Sequence, residues 1–148
     1  MDENDALILL AVVAGAGLVW LARRGDRGDR GDETAYSNAI NMANTWKPPA
    51  SAGPYLNAIA EAEALHGLPV NMLASLLYQE SRYRPEIING TVKSPAGALG
   101  IAQFMPATAK QFGINPLDPF QAIPAAAKYL AKLYKRFGNW PEALAAYN

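Results

Sequence analysis

The chain has 148 residues, a formal net charge of zero at pH 7 and no cysteine. This length allows about one domain with an appendage, and the balanced charge lacks the basic footprint that nucleic-acid binding usually requires. The missing cysteines exclude disulfides, thiolate chemistry and cysteine-ligated zinc. The only histidine, His66, precedes Gly67 at an apparent helix end, where a solvated side chain is a better interpretation than a metal ligand. We therefore predict no metal site and no nucleic-acid partner.

The first element is an uncharged apolar segment at residues 6–22, ALILLAVVAGAGLVWLA, which is followed by Arg23 and Arg24. Its length is the lower limit for a helix that crosses a bilayer, and a tryptophan followed by arginines is typical of an interfacial anchor. The preceding residues are acidic, whereas a cleaved signal peptide begins with a basic region. We predict a short tail over residues 1–5 and a single retained transmembrane helix over residues 6–22. A buried helix of a soluble protein is the alternative.

Residues 23–53 are predicted to form a flexible linker and juxtamembrane segment. The run RRGDRGDRGDE repeats glycine with charges of both signs and can bury nothing. Its Arg-Gly-Asp triplets also match a cell-adhesion motif, but any Gly-Asp-Arg repeat generates them. A short helix is possible between Thr34 and Trp46, and KPPASAGP then predicts a break before the domain.

Helical periodicity begins at Pro54 and continues to the end of the chain. Helices are predicted from Pro54 to Gly67, from Pro69 to Tyr83, over residues 106–113, from Asp118 to Gly138 and from Asn139 onward. Asp118 and Asn139 are the predicted N-caps of the last two. In IINGTV, Asn89-Gly90 stands between two β-branched pairs, which predicts a tight hairpin. The expected fold class is therefore mostly α (α+β), with one helical domain over residues 54–148 and one small β-hairpin.

Glu80 is the candidate catalytic residue of this domain. On the helix that starts at Pro69 it shares one face with three leucines, Leu73, Leu76 and Leu77. Desolvation on such a face raises the pKa of a carboxyl group, and a carboxylic acid that stays protonated near neutral pH can act as a general acid. The alternative is that Glu80 lies at the margin of the apolar face and pairs with Arg82 or Arg84.

Three segments carry a resemblance to a known family. ESRYRP (residues 80–85), SPAGALGIAQFMPATA (residues 94–109) and FGNWPEALAAYN (residues 137–148), in this order, resemble the lytic transglycosylases of the soluble-lytic-transglycosylase (SLT) family. These are lysozyme-like enzymes that cleave peptidoglycan. The resemblance implies a lysozyme-like helical fold and Glu80 as the catalytic glutamate. The substrate-binding residues that it implies are Ser81, Gly97, Gly100, Gln103, Met105, Tyr147 and Asn148.

The resemblance also implies a mechanism with a single carboxylate. Glycosidases normally use two carboxylates, and the other acids after Glu80 are Glu86, Asp118 and Glu142, of which the last two have predicted capping roles. In the family the glutamate protonates the glycosidic oxygen between N-acetylmuramic acid (MurNAc) and N-acetylglucosamine (GlcNAc). It then takes a proton from the muramoyl C6 hydroxyl, which closes a 1,6-anhydro ring without a metal or cofactor. A hydrolytic muramidase and a peptidoglycan-binding module without turnover are the alternatives.

Localisation follows from the apolar segment and the implied substrate. The arginines lie after the segment, so the positive-inside rule places the domain in the cytoplasm, away from peptidoglycan. A phage virion protein that opens the cell wall would account for both the predicted orientation and the implied substrate. A bacterial envelope protein is the other interpretation. The expected partners are glycan strands, the membrane through residues 6–22, and other virion or envelope proteins. The last helix has only about two turns, and its final turn has unpaired carbonyls and a terminal carboxylate at the negative end of the helix dipole. We therefore expect Tyr147 and Asn148 to fray.

Overall fold

The computed structural model describes residues 8–14, 17–23 and 46–147. Near the N-terminus, strands β1 (Ile8–Ala14) and β2 (Gly17–Arg23) pair antiparallel, with Ile8 opposite Arg23 and Ala14 opposite Gly17. A 3-10 helix over Ala50–Tyr55 follows. The α-helices of the described residues are α1 (Leu56–His66), α2 (Met72–Ser81), α3 (Pro85–Ile88), α4 (Pro106–Phe112), α5 (Pro119–Phe137) and α6 (Trp140–Tyr147).

The predicted transmembrane helix over residues 6–22 is wrong. The described backbone of this segment forms the two strands, and in the described ranges no helix is both long and apolar enough to span a membrane. An apolar run without periodicity does not distinguish a helix from strands, and this one contains β-branched residues together with Gly15 and Gly17. The predicted tail, the arginine-rich repeat of the linker and residues 34–45 of the possible short helix lie outside the described residues.

The predicted hairpin at IINGTV is also wrong. Ile87 and Ile88 belong to α3, which Pro85 starts because its fixed φ suits the first helical position. The turn that follows is made by the Asn89 side chain, whose Oδ1 accepts hydrogen bonds from the Thr91 amide at 2.9 Å and the Thr91 hydroxyl at 2.6 Å. Extended pairing within residues 46–147 is confined to one bridge between Leu99 and Phe104. The fold class is corrected accordingly: this part of the chain is a mostly helical body without the hairpin.

The core of this body is built around α2 and α5. Leu73, Leu76 and Leu77 of α2 are completely buried. The alanine-rich face of α5 is buried too, and its small side chains let α1 and α6 pack closely against it. The predicted N-cap of α5 is confirmed, since Asp118 Oδ1 accepts from the Phe120 amide at 2.9 Å. Asn139 caps α6 in the same way through the Glu142 amide, also at 2.9 Å.

A buried carboxylate joins α1 to the start of α2. Glu63 is 5% exposed, and its Oε1 accepts from the amides of Leu73 at 3.0 Å and Ala74 at 3.4 Å, while Oε2 accepts from Asn71 at 3.1 Å. The first amides of a helix have no partner within the helix. Asn71 precedes α2 with a positive φ of 67° and forms no side-chain cap. Glu63 therefore supplies from another helix the cap that α2 lacks.

The loop between α3 and α4 depends on a glycine. Gly100 has φ +79°, and a Cβ at this position would overlap the carbonyl oxygen of Pro116. Gly97 has a similar φ of +87°, but a Cβ there would meet nothing within 4 Å. A side chain at Gly97 would therefore meet only the strain of a left-handed backbone, whereas a side chain at Gly100 would also collide with Pro116.

We expect Glu63→Ala to lower the free energy of unfolding by about 2–4 kcal/mol, because buried amides lose their acceptor. Urea unfolding followed by circular dichroism measures this. Glu61→Ala changes an exposed carboxylate of the same helix, and it should stay within about 0.5 kcal/mol of the unmodified chain. Equal effects of the two substitutions would contradict the capping role.

Gly97→Ala should cost about 1–2 kcal/mol, since it adds only the strain of a left-handed alanine. Gly100→Ala should cost more by at least about 1 kcal/mol, because the loop must also move away from Pro116. Thermal or urea unfolding of the pair tests this difference. If both variants are destabilised equally, the contact with Pro116 is not a constraint on the loop.

Candidate active site

Glu80 lies in the last turn of α2, with its side chain directed partly into the protein. Its Oε1 atom is buried and has no hydrogen-bond partner among the described residues. Burial raises the pKa of Glu80 from 4.5 to about 7, which confirms the direction predicted from the apolar face. The carboxyl group is therefore substantially protonated near neutral pH, as a general acid must be.

The two arginines considered as ion-pair partners of Glu80 make other contacts. The Arg84 Nε donates to Glu86 Oε1 at 2.7 Å, and its Nη2 lies 2.5 Å from the same oxygen. The Arg82 guanidinium lies over the Tyr78 ring, 4.6 Å from its centroid. An ion pair would lower the pKa of Glu80, whereas the physical cause that acts on it is desolvation.

The turn after Glu80 is held by two buried side chains. Ser81 is completely buried, and its hydroxyl donates to the Leu77 carbonyl at 3.0 Å and accepts from the Tyr83 amide at 3.3 Å. Tyr83 is 1% exposed and donates its hydroxyl to the Ala74 carbonyl at 2.7 Å. Arg82 and Tyr83 both have positive φ, so the chain reverses sharply here. These contacts fix the end of α2, and with it the backbone that carries Glu80.

The loop between α3 and α4 holds four of the residues singled out from the sequence. Gly97 and Gly100 have positive φ. Leu99 and Phe104 pair through two backbone hydrogen bonds of 3.0 and 3.1 Å, which close a tight turn over residues 100–103. Gln103 has φ 49°, and its side-chain Nε2 donates to the Gly100 carbonyl at 2.9 Å. The amide oxygen of Gln103 thus stays available as an acceptor. Met105 is 44% exposed at the start of α4.

Tyr147 joins this loop to the end of α6. Its hydroxyl donates to the Ala102 carbonyl at 3.1 Å, and its ring centroid lies 5.3 Å from that of Tyr129 and 6.2 Å from that of Phe104. Burial, and after it the negative charge of Glu80, raise the pKa of Tyr147 well above 10. Tyr147 is therefore held by contacts with this loop and with α5, and its fraying stays a prediction that hydrogen exchange would test. Asn148 lies outside the described residues.

Other carboxylates of the described body are engaged or exposed. Glu63 caps α2, Glu86 pairs with Arg84, Asp118 caps α5, and Glu61 and Glu142 are exposed. Within residues 46–147, no three side chains of the His, Cys, Asp or Glu type come together as a possible metal site. Among the described carboxyl groups, Glu80 is therefore the half-buried acid with an oxygen free of hydrogen bonds, which suits it to proton transfer.

Comparison with known proteins identifies a family and several relatives. Residues 57–148 match the sequence model of the transglycosylase SLT domain. The chain is 37% identical over 102 residues to membrane-bound lytic murein transglycosylase F 2 of Alkalilimnicola ehrlichii, covering 64% of this chain and 22% of that protein. It is 46% identical over 85 residues to membrane-bound lytic murein transglycosylase F of Pseudoalteromonas translucida, covering 52% and 17%.

A viral protein is also among the relatives. The transglycosylase of Enterobacteria phage PRD1 is 36% identical over 91 residues, covering 61% of this chain and 32% of the phage protein. The chain thus spans a third or less of each of these three relatives. The family model, in contrast, matches well over half of the chain. The chain belongs to the transglycosylase SLT domain family.

Proposed function

We propose that the domain at residues 54–148 is a lytic transglycosylase that cleaves the β-1,4 bond between MurNAc and GlcNAc in peptidoglycan. The observation that carries this proposal is the buried Glu80 oxygen without a partner, on a carboxyl group whose pKa is about 7. Membership of the SLT family and the names of the murein transglycosylases it resembles support the substrate class.

The proposed reaction uses Glu80 twice. The protonated carboxyl group donates its proton to the glycosidic oxygen, the bond from that oxygen to C1 of MurNAc breaks, and positive charge develops at C1. The substrate's own acetamido group stabilises this charge. The Glu80 carboxylate then removes the proton from the C6 hydroxyl, whose oxygen bonds to C1 and closes the 1,6-anhydro ring. Glu80 ends the cycle protonated, and neither water nor a cofactor is consumed.

The remaining site residues have different proposed roles. The amide oxygen of Gln103 and the exposed Met105 are proposed to contact sugar, and Tyr147 is proposed to hold the loop of residues 97–105 against α6 through its bond to Ala102. Gly97 and Gly100 shape the loop. Ser81 is buried with its hydrogen bonds satisfied, so it acts by fixing the turn behind Glu80. Asn148 stays a proposed substrate-binding residue.

We further propose that the protein acts at the bacterial envelope, as part of a phage virion that opens the wall. The similarity to the phage PRD1 transglycosylase favours the viral origin, while relatives called membrane-bound murein transglycosylases favour the envelope. Detection of the chain in purified virus particles tests the viral form. If it is found only in envelope fractions of uninfected cells, the protein is a bacterial enzyme.

Replacing the acid tests the reaction directly. Glu80→Gln keeps the shape of the side chain but cannot donate the proton, so we expect cleavage of purified peptidoglycan to fall by at least about 100-fold. The wild-type chain should release fragments with 1,6-anhydromuramic ends, measured by mass spectrometry. Glu86→Gln, which changes a carboxylate that pairs with Arg84, is the control and should retain activity. Reducing ends heavier by one water would indicate a hydrolytic muramidase, and binding without cleavage would indicate a binding module.

The pKa of Glu80 also predicts a pH dependence. Cleavage should fall about tenfold per pH unit above about 7, as the acid loses its proton. Because the folded pKa is raised from 4.5, Glu80 contributes stability that is present below 4.5 and lost as pH rises through about 7. Relative to Glu80→Gln, the wild-type chain should therefore lose on the order of 3 kcal/mol over this window. A stability difference that does not change with pH would contradict the buried acid.

A further inference from the structure

A pocket of about 520 Å³ lies where the end of α1 meets α4 and α5. The residues that carry its chemistry come from all three helices and are His66, Gln111, Phe112, Lys128, Lys132 and Lys135. None of these belongs to the group around Glu80. The pocket is large enough for several residues of an extended peptide or for one sugar with its substituents.

The pocket concentrates positive charge that nothing in the described structure neutralises. Lys128, Lys132 and Lys135 are exposed and recur four and three residues apart, so they share one face of α5. No carboxylate lines the pocket, and in residues 46–147 these lysines form no ion pair. The whole chain is neutral, so the local excess of lysine is not a consequence of a basic composition. Like charges at this spacing oppose helix formation, which an anionic ligand would relieve.

The pocket is connected to the residues around Glu80 through packed aromatic rings. Phe112 lines the pocket and packs against Tyr129, with ring centroids 5.6 Å apart. Tyr129 packs in turn against Tyr147 at 5.3 Å, and the charge of Glu80 contributes to the raised pKa of Tyr147. The pocket therefore belongs to the same packed body as Glu80.

We propose that this pocket binds the carboxylates of the peptide stems that peptidoglycan carries on its muramic acid residues. This inference rests on the proposed function. The ammonium groups would pair with the stem carboxylates, while Phe112 and Ala131 form an apolar wall for short alkyl side chains. Stem binding would favour glycan strands that retain their peptides over strands from which the peptides have been removed.

Binding measured in the Glu80→Gln background, where no turnover consumes the ligand, tests this proposal. Two ligands are compared by titration calorimetry: a glycan oligomer with tetrapeptide stems and the same oligomer without them. Lys128→Gln/Lys132→Gln should weaken binding of the stem-bearing oligomer about fivefold to tenfold and leave the stem-free oligomer unchanged. The loss should shrink at high salt. Lys47→Gln/Lys93→Gln removes the same charge at two exposed lysines outside the pocket and should affect neither ligand.

The proposal is overturned if the pocket variant binds both oligomers as the parent does, or if it loses affinity for both equally. An equal loss in the control variant would also overturn it, since net charge would then explain the effect. The free tetrapeptide, followed by chemical shifts at His66 and Gln111, separates this proposal from the proposed function. If neither oligomer is cleaved by the wild-type chain, the proposed function fails. Peptide binding that is lost in the pocket variant would still support the pocket, and no peptide-dependent shift would refute it.

Discussion

The contact between Glu63 and the first amides of α2 is the interaction on which the candidate site depends. Three amides at the start of that helix are satisfied by a carboxylate from α1, at 3.0 to 3.4 Å. The other end of α2 carries Glu80 and is fixed by Ser81 and Tyr83. The helix is thus tied at both ends by buried polar contacts, and its leucines fill the core between them. Because Tyr83 bonds back to Ala74, whose own amide contacts Glu63, the two ends of α2 are linked through one short hydrogen-bonded chain.

Glu80 and Glu63 show two different outcomes of burying a carboxyl group. Burial raises the pKa of both groups. At Glu63 three amide hydrogen bonds oppose that rise, and the same bonds hold the start of α2. At Glu80 no such bond opposes it, and a buried oxygen is left without a partner. An unsatisfied buried oxygen costs on the order of 1–3 kcal/mol. Such a cost is typical of functional sites, because a polar group that must interact with a ligand cannot also be satisfied within the folded protein.

The sequence predicts the helical body well where the signal is local. Helix ends at Gly67, Gly113 and Gly138 all adopt the left-handed conformation, and the caps at Asp118 and Asn139 form as expected. The sequence-based prediction is wrong where one local sequence pattern is compatible with two different structures. Asn89-Gly90 makes a turn in either a hairpin or a helix exit, and the apolar run of residues 6–22 fits a helix or two strands equally. Long-range contacts leave no local signal at all. The Tyr147 bond to Ala102 joins residues 45 positions apart, and Glu63 reaches amides that lie eight to eleven positions ahead.

The aromatic cluster of Phe104, Phe112, Tyr129 and Tyr147 packs four elements of the helical body against one another. Its rings come from the glycine-shaped loop, α4, α5 and α6, with successive centroids 5.3 to 6.2 Å apart. Phe112 also lines the lysine pocket, and the charge of Glu80 contributes to the raised pKa of Tyr147. Closely packed rings resist independent movement, so the cluster holds the loop, α4, α5 and α6 in one arrangement. Peptide binding at the lysines would therefore add contacts to the substrate without a rearrangement of the elements that carry Tyr147 and Phe112.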